Sequence, residues 1–261
     1  MITGRNIDVA FGRKTILRCV DVDVPFGKLV ALCGPNGAGK STLLSALVGD
    51  VPTARGDIRY NDTDLHRMDA ADLSRRRAVL EQSPTLSAAF SVAEVVRLSV
   101  PIEYAPAETE SLVTEVTAQL GLTRFIDTPV PKLSGGQRHR AHLARVLAQL
   151  TANRSLFGPG YLFLDEPTAS LDIQHQIEVM KIARVLARGG SGVLVVLHDL
   201  NLAAAFADSI CLMRDGAVVG SGTVAEVFTA RMLSDVYATP ISVEKTEGGP
   251  LIILPDYHSA A

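Results

Sequence analysis

The sequence predicts an α/β fold on a mostly parallel sheet, with an antiparallel β element near its start and a helical subdomain in its middle. Three observations lead there. Leu29 to Cys33 is a continuous apolar run that stops at a glycine-rich loop and passes into Ser41 to Val48, which has helical composition. The same grammar returns twice, at Tyr161 to Leu164 before Asp165-Glu166-Pro167 and at Gly192 to Leu197 before His198-Asp199. Between these strands, Ala70 to Gln149 is mostly helical in pattern, and Glu108 to Leu120 within it is amphipathic.

In chain order, Ile7 to Phe11 and Ile16 to Val24 read as short strands, the second from the alternation Val20-Asp21-Val22-Asp23-Val24 before a turn at Pro25-Phe26-Gly27. Next come the first buried strand, its loop and its helix. A helical subdomain is expected over about 83–149, inside a core formed by about 1–82 and 150–261, the whole making one domain. After the third apolar strand, Ile210-Cys211-Leu212-Met213 and Ala217-Val218-Val219 flank the turn Arg214-Asp215-Gly216 as a hairpin. A helix near Val224 to Phe228 follows, and the tail from Ser259 is expected to fray.

Composition narrows the function. Of 261 residues, 47% are hydrophobic and 20% charged, so the chain can bury a core and does not carry a disorder signature. A net charge of -3 leaves no basic footprint for nucleic acid, which is not expected as a partner. Cys19, Cys33 and Cys211 are odd in number and widely spaced, so all three are expected as small buried apolar residues in a reduced, cytoplasmic setting. The first residues lack the apolar stretch of a secretory signal. No apolar run approaches the roughly 18 residues that a membrane span needs, so any membrane role is expected to come through a partner.

The chemistry is concentrated at the strand ends, where parallel α/β sheets bind ligands. Gly34-Pro35-Asn36-Gly37-Ala38-Gly39-Lys40-Ser41-Thr42 is a complete G-x-x-x-x-G-K-[ST], set between a strand and a helix. Its glycines let backbone N–H groups turn inward around phosphate oxygens, and the helix that follows presents its positive end. Lys40 is expected on the β and γ phosphates of ATP, and Ser41 on Mg2+, a cation that prefers oxygen ligands. Asp165 and Glu166 stand directly after an apolar strand; Asp165 is assigned to the metal through water and Glu166 to polarising the attacking water as general base. Leu133-Ser134-Gly135-Gly136-Gln137 opens another helix with small residues, a second anion site in a chain that already has one. That redundancy makes sense if the site meets the γ-phosphate held by another copy in a twofold, head-to-tail dimer. Standing alone, the segment would read as a helix start capped by Ser134.

Together these segments resemble the ATP-binding cassette (ABC) ATPase family, over nearly the whole chain and in the family's order. The resemblance implies the ABC ATPase fold, a P-loop NTPase core. It matches Gly34 to Thr42 to the Walker A motif, Gln82 to the Q-loop glutamine, Leu133 to Gln137 to the signature and Tyr161 to Glu166 to Walker B. It further matches Ser170-Leu171-Asp172 to the D-loop, His198 to the switch histidine and Phe11 to the aromatic that stacks on adenine. It implies catalytic roles for Glu166, His198 and Gln82, with Ser41, Gln82 and Asp165 around the metal. Finer texture is most similar to haemin importers within the iron-chelate and vitamin B12 branch: Leu143 to Leu150, Leu171 to Gln176, His198 to Ala204, and the long spacer Thr151 to Gly160. Glu81 before Gln82 and Gln137-Arg138-His139-Arg140 depart from that pattern. The implied setting is peripheral, on the cytoplasmic face of the inner membrane. The implied partners are a second ATPase subunit, two membrane-spanning permease subunits and, indirectly, a periplasmic or surface substrate-binding protein. Ferric siderophore and cobalamin remain alternative cargoes. A soluble cassette acting in DNA repair or on ribosomes is disfavoured, because the chain has one P-loop and no sustained heptads. An ATP binder without turnover would have lost Glu166 or His198, and both are present. Ser83 to Phe90, small and apolar, is the expected docking segment for a permease.

Overall fold

The computed structural model describes residues 1–82, 89–169, 171–245 and 248–256. In chain order, β1 (Ile2–Phe11) and β2 (Lys14–Val24) precede β3 (Leu29–Cys33), α1 (Lys40–Val48), β4 (Arg55–Tyr60), β5 (Thr63–Asp64), α2 (Ala70–Arg76) and β6 (Arg77–Leu80). Helices α3 (Val92–Arg97), α4 (Pro106–Gln119) and α5 (Gly135–Phe157) lead to β7 (Tyr161–Asp165), α6 (Ile173–Arg188), β8 (Gly192–Val196) and α7 (Leu200–Phe206). Then come β9 (Ser209–Arg214), β10 (Ala217–Gly222), α8 (Val224–Val227), α9 (Ala230–Tyr237) and the hairpin of β11 (Ile241–Lys245) with β12 (Leu251–Pro255).

Among the described residues the main sheet runs β10-β9-β3-β8-β7-β6. Its strands are parallel apart from β10, which returns antiparallel along β9. The continuous apolar runs explain this arrangement, because β3, β7 and β8 are buried along their whole length, as strands covered on both faces must be. Alternate side chains divide between two cores. Leu29, Ala31, Cys33, Leu162 and Leu164 pack with the helices α3 to α6 on one face. Val30, Leu32, Tyr161 and Phe163 pack on the other with α1 and a second, antiparallel sheet of order β2-β1-β4-β5. This is the α/β architecture expected from the sequence, with its antiparallel N-terminal element and its helices between β6 and β7.

Three features differ from the sequence reading. Strand β6 lies within the stretch read as helical; after Arg75-Arg76 it shows just Ala78-Val79-Leu80 as apolar residues, too short a run for periodicity to register. The β11–β12 hairpin went unread because its strands are half-exposed and mixed in composition. Cys33 and Cys211 are buried, but Cys19 is exposed. It sits at φ 47° where β2 bulges, and its N–H donates to Asp8 Oδ1 at 2.6 Å.

The end of α1 is tied to the antiparallel sheet by Tyr60, whose buried hydroxyl donates to the Leu47 carbonyl at 3.0 Å. Removing one partner of a buried hydrogen bond costs about 1 to 2 kcal/mol. Tyr60→Phe is therefore expected to lower unfolding free energy by about that much in urea titrations, and an unchanged midpoint would show that this bond does not anchor α1.

Candidate active site

Four neighbouring parallel strands, in the order β3-β8-β7-β6, end at one edge of the sheet, and each delivers polar groups there. Strand β3 delivers the loop 34–42, β8 delivers His198, β7 delivers Asp165 and Glu166, and β6 delivers Gln82. The strand register thus gathers residues that lie as far as 164 positions apart in sequence.

The loop closes tightly because its glycines take dihedrals that other residues avoid. Gly34 has φ 144°, and a Cβ there would stand 2.2 Å from the Met213 carbonyl oxygen of β9. Gly39, at φ 97°, is the N-cap of α1 and offers no side-chain cap. Ser134, Asp172 and Asp199, by contrast, cap α5, α6 and α7 with side-chain oxygens. The start of α1 therefore keeps first-turn N–H groups open to an anion. Lys40 is 5% exposed, and its Nζ donates to the carbonyls of Gly34 at 2.7 Å and Pro35 at 3.0 Å, folding the ammonium back under the loop. Burial pulls its pKa down, while Glu166, Cys33 and Asp165 push it the other way.

Ser41 Oγ donates to Asp165 Oδ1 at 3.2 Å, so the two expected metal-side groups touch. Asp165 is 7% exposed, and burial raises its pKa; the Ser41 hydrogen bond works in the opposite direction, as does the charge of Lys40. Glu166 adopts φ 50°, an uncommon conformation for a non-glycine residue and a strain of the kind found at functional sites. Its carboxylate is held from both sides, with Gln82 Nε2 donating to Oε2 at 2.9 Å and His198 Nε2 lying 2.5 Å from Oε1. Residues 36–42, Gln82, Glu166 and His198 line one open cleft of about 480 Å³. Lys14 and Ile16 line it too. Sequence reasoning missed both, because the pairing of β2 puts them there and no motif marks them.

Ser134, Gly135, Gly136 and Gln137 do not line this cleft. They form a capping box in which Ser134 Oγ accepts from Gln137 N–H at 3.3 Å and Gln137 Oε1 accepts from Ser134 N–H at 3.0 Å, with Ser134 and Gly135 exposed. The same helix reaches the residue after Glu166 through His139, whose Nε2 lies 2.7 Å from the Pro167 carbonyl. Phe11 is 55% exposed at the tip of the β1–β2 hairpin, opposite Lys14, and is likewise outside the cleft lining. Of the D-loop segment, Ser170 lies outside the described residues, Leu171 is buried, and Asp172 caps α6 by accepting from His175 N–H at 2.9 Å. Of Ser83 to Phe90, the segment expected from the sequence to dock a permease, residues 83–88 lie outside the described residues.

A glycine loop closed over a buried lysine, with a strand-end aspartate on the loop serine and a glutamate beside it, defines a P-loop nucleotide-binding cassette. The sequence model described as ABC transporter matches residues 17–169. Over 258 residues the chain is 44% identical to the hemin import ATP-binding protein HmuV of Streptomyces coelicolor, covering 96% of this chain and 88% of that one. It is 41% identical over 254 residues to the protein of the same name from Rhodopseudomonas palustris strain BisB5, covering 97% of each. Among solved structures, an ATP binding subunit of an ABC transporter superposes with a TM-score of 0.79 at 22% identity, covering 91% of this chain and 98% of that one. A dimeric ATP-binding cassette in a post-hydrolysis state, bound to ADP and Pi, superposes with a TM-score of 0.75 at 25% identity, covering 86% and 99%. The chain belongs to the ABC transporter family, as its ATP-hydrolysing subunit.

Proposed function

We propose that the chain is the ATPase subunit of a haemin importer, peripheral on the cytoplasmic face of the inner membrane, working as a homodimer beneath two membrane-spanning permease subunits. One observation carries the catalytic part of this reading: four adjacent strand ends bring Lys40, Ser41, Gln82, Glu166 and His198 to a single cleft, and Asp165 onto the hydroxyl of Ser41. The cargo assignment is supported by relatives of 37% to 44% identity named for hemin import. Among the described residues no helix is long and apolar enough to cross a membrane, so the membrane role is assigned to partners. A substrate-binding protein delivers cargo to those partners and does not touch this chain. The core is taken as about 1–82 and 150–261 and the helical subdomain as about 83–149.

In this reading the loop N–H groups and Lys40 hold the ATP phosphates, with Phe11 at the adenine. Lys40 exchanges the carbonyls of Gly34 and Pro35 for phosphate oxygens. The residues fit Mg2+, since Ser41 and Asp165 supply a paired hydroxyl and carboxylate, and a divalent cation would offset the burial that now disfavours the Asp165 charge. Held by Ser41 and Asp165, Mg2+ would supply positive charge to offset the negative charge that develops on the phosphates during transfer. Gln82 completes that side of the site. Glu166 accepts the proton as the water oxygen bonds to the γ-phosphorus and the bridging P–O bond breaks, giving ADP and phosphate. His198 orients Glu166 and contacts the γ-phosphate. Ser134, Gly135, Gly136 and Gln137, away from their own chain's cleft, face the nucleotide held by the second copy. ATP therefore favours the closed dimer by differential contact, and hydrolysis removes that preference.

The test is purification of the tagged chain from its native membranes, with ATPase assayed with and without haemin-loaded binding protein. A multispan permease is expected to accompany it, and haemin delivery is expected to raise turnover. Recovery without any membrane protein, or with ribosomes, would overturn the transport role. Stimulation by a ferric siderophore or cobalamin in place of haemin would overturn the cargo.

A further inference from the structure

The β11–β12 hairpin lies far along the chain from the catalytic motifs, yet it grips the segment that carries His198. Helix α7 starts at Leu200, two positions after His198 and directly after Asp199. Asp199 caps it, accepting from the N–H groups of Asn201 at 2.8 Å and Leu202 at 3.0 Å. The Asn201 side chain is then fully engaged elsewhere. Its Nδ2 donates to the Ile253 carbonyl at 3.1 Å, and its Oδ1 accepts from the Ile253 N–H at 2.8 Å. The amide thus occupies both hydrogen-bonding groups of one β12 residue, as a neighbouring strand would, on the edge of β12 away from β11. Ile253 itself is 2% exposed and packs in the main core, so this edge is anchored.

The hairpin is anchored a second time. Ser234 of α9 accepts from the Ile241 N–H of β11 at 2.8 Å, and Tyr237 at the end of α9 packs against the main core. The C-terminal unit is therefore fastened both to the segment that follows His198 and to the main core. A seven-residue helix has little stability of its own. Its position, and with it the reach of His198 to Glu166, depends on what it is fastened to.

We propose that Asn201 is a positioning residue for ATP hydrolysis, clamping α7 to β12 so that His198 stays in reach of Glu166 and the γ-phosphate. This rests on the reading of His198 given above. Misplacing a catalytic group by about 1 Å can cost up to 100-fold in rate. For loss of one of the ties on α7 we expect Asn201→Ala to lower kcat about tenfold, with KM for MgATP within about twofold because the phosphate loop is untouched.

A merely structural role would not produce the following signature. Single-turnover rates are measured for the full chain carrying Asn201→Ala, His198→Ala, or both, alongside thermal melting. If Asn201 acts through His198, the double variant is no slower than His198→Ala alone. Equal fold losses in both backgrounds, or a wild-type kcat for Asn201→Ala, overturn the proposal. A wild-type rate for His198→Ala would instead overturn the role of His198, which is a distinguishable result. Should Asn201→Ala fail to fold, Asn201→Asp keeps the acceptor for the Ile253 N–H and loses the donor, and the same non-additivity with His198→Ala is required of it.

Discussion

Glu166→Gln is expected to reduce ATP turnover by at least about 100-fold, the contribution of a positioned general base, while MgATP still binds. The substitution keeps the volume and one oxygen, so Gln82 and His198 retain a partner on the side chain; both now bond the carboxylate, at 2.9 Å and 2.5 Å. What disappears is an acceptor basic enough to take the water proton. The strained backbone at φ 50° holds this side chain against the cleft whatever its charge, so geometry and basicity are separable here. Phosphate release measured under single turnover checks the rate, and equilibrium binding of a fluorescent ATP analogue checks the affinity. A variant that hydrolyses ATP at the wild-type rate would move the base elsewhere.

Lys40→Ala is expected to weaken MgATP binding by about 100-fold, or roughly 3 kcal/mol, and to abolish measurable turnover. Charge-assisted hydrogen bonds to phosphate oxygens are the strong ones. The Lys40 ammonium also bridges the Gly34 and Pro35 carbonyls at 2.7 and 3.0 Å, so the empty loop loses a brace as well. Lys40→Arg is expected to restore little, since the residue is 5% exposed and a planar guanidinium does not fit a space shaped for an ammonium. Titration calorimetry with a nonhydrolysable analogue reads both variants. Near-native affinity in Lys40→Ala would mean that the loop N–H groups alone hold the phosphates.

How far the sequence reveals this site depends on how local each signal is. The phosphate loop, the Asp165-Glu166 strand end and the Ser134 helix start are contiguous segments whose chemistry follows from a few residues and their spacing, and they stand out before any fold is known. Buried parallel strands are legible for the same reason, because β3, β7 and β8 are uninterrupted apolar runs. What escapes is set by pairing across long separations. Strand β6 hides behind arginines although it places Gln82 beside Glu166, and Lys14 and Ile16 enter the cleft through strand register. Asn201 looks like an ordinary helix residue until Ile253, 52 positions later, is seen to use both ends of its amide. Cys19 shows the converse error, a residue type that is usually buried being exposed by a bulge.

The signature segment poses the central question. Its capping box satisfies the start of α5 within one chain, yet Ser134 and Gly135 are exposed and away from the cleft that holds Lys40. A helix that needed nothing more than a cap would not need the two glycines that follow. In a head-to-tail dimer they face a nucleotide held by a second copy, and the most direct measurement is the mass of Glu166→Gln in solution by light scattering, with and without MgATP. A shift from monomer to dimer on adding MgATP, reversed by the further change Ser134→Arg, is the expected result. A monomer under both conditions, or a dimer indifferent to nucleotide and to residue 134, would contradict the head-to-tail site.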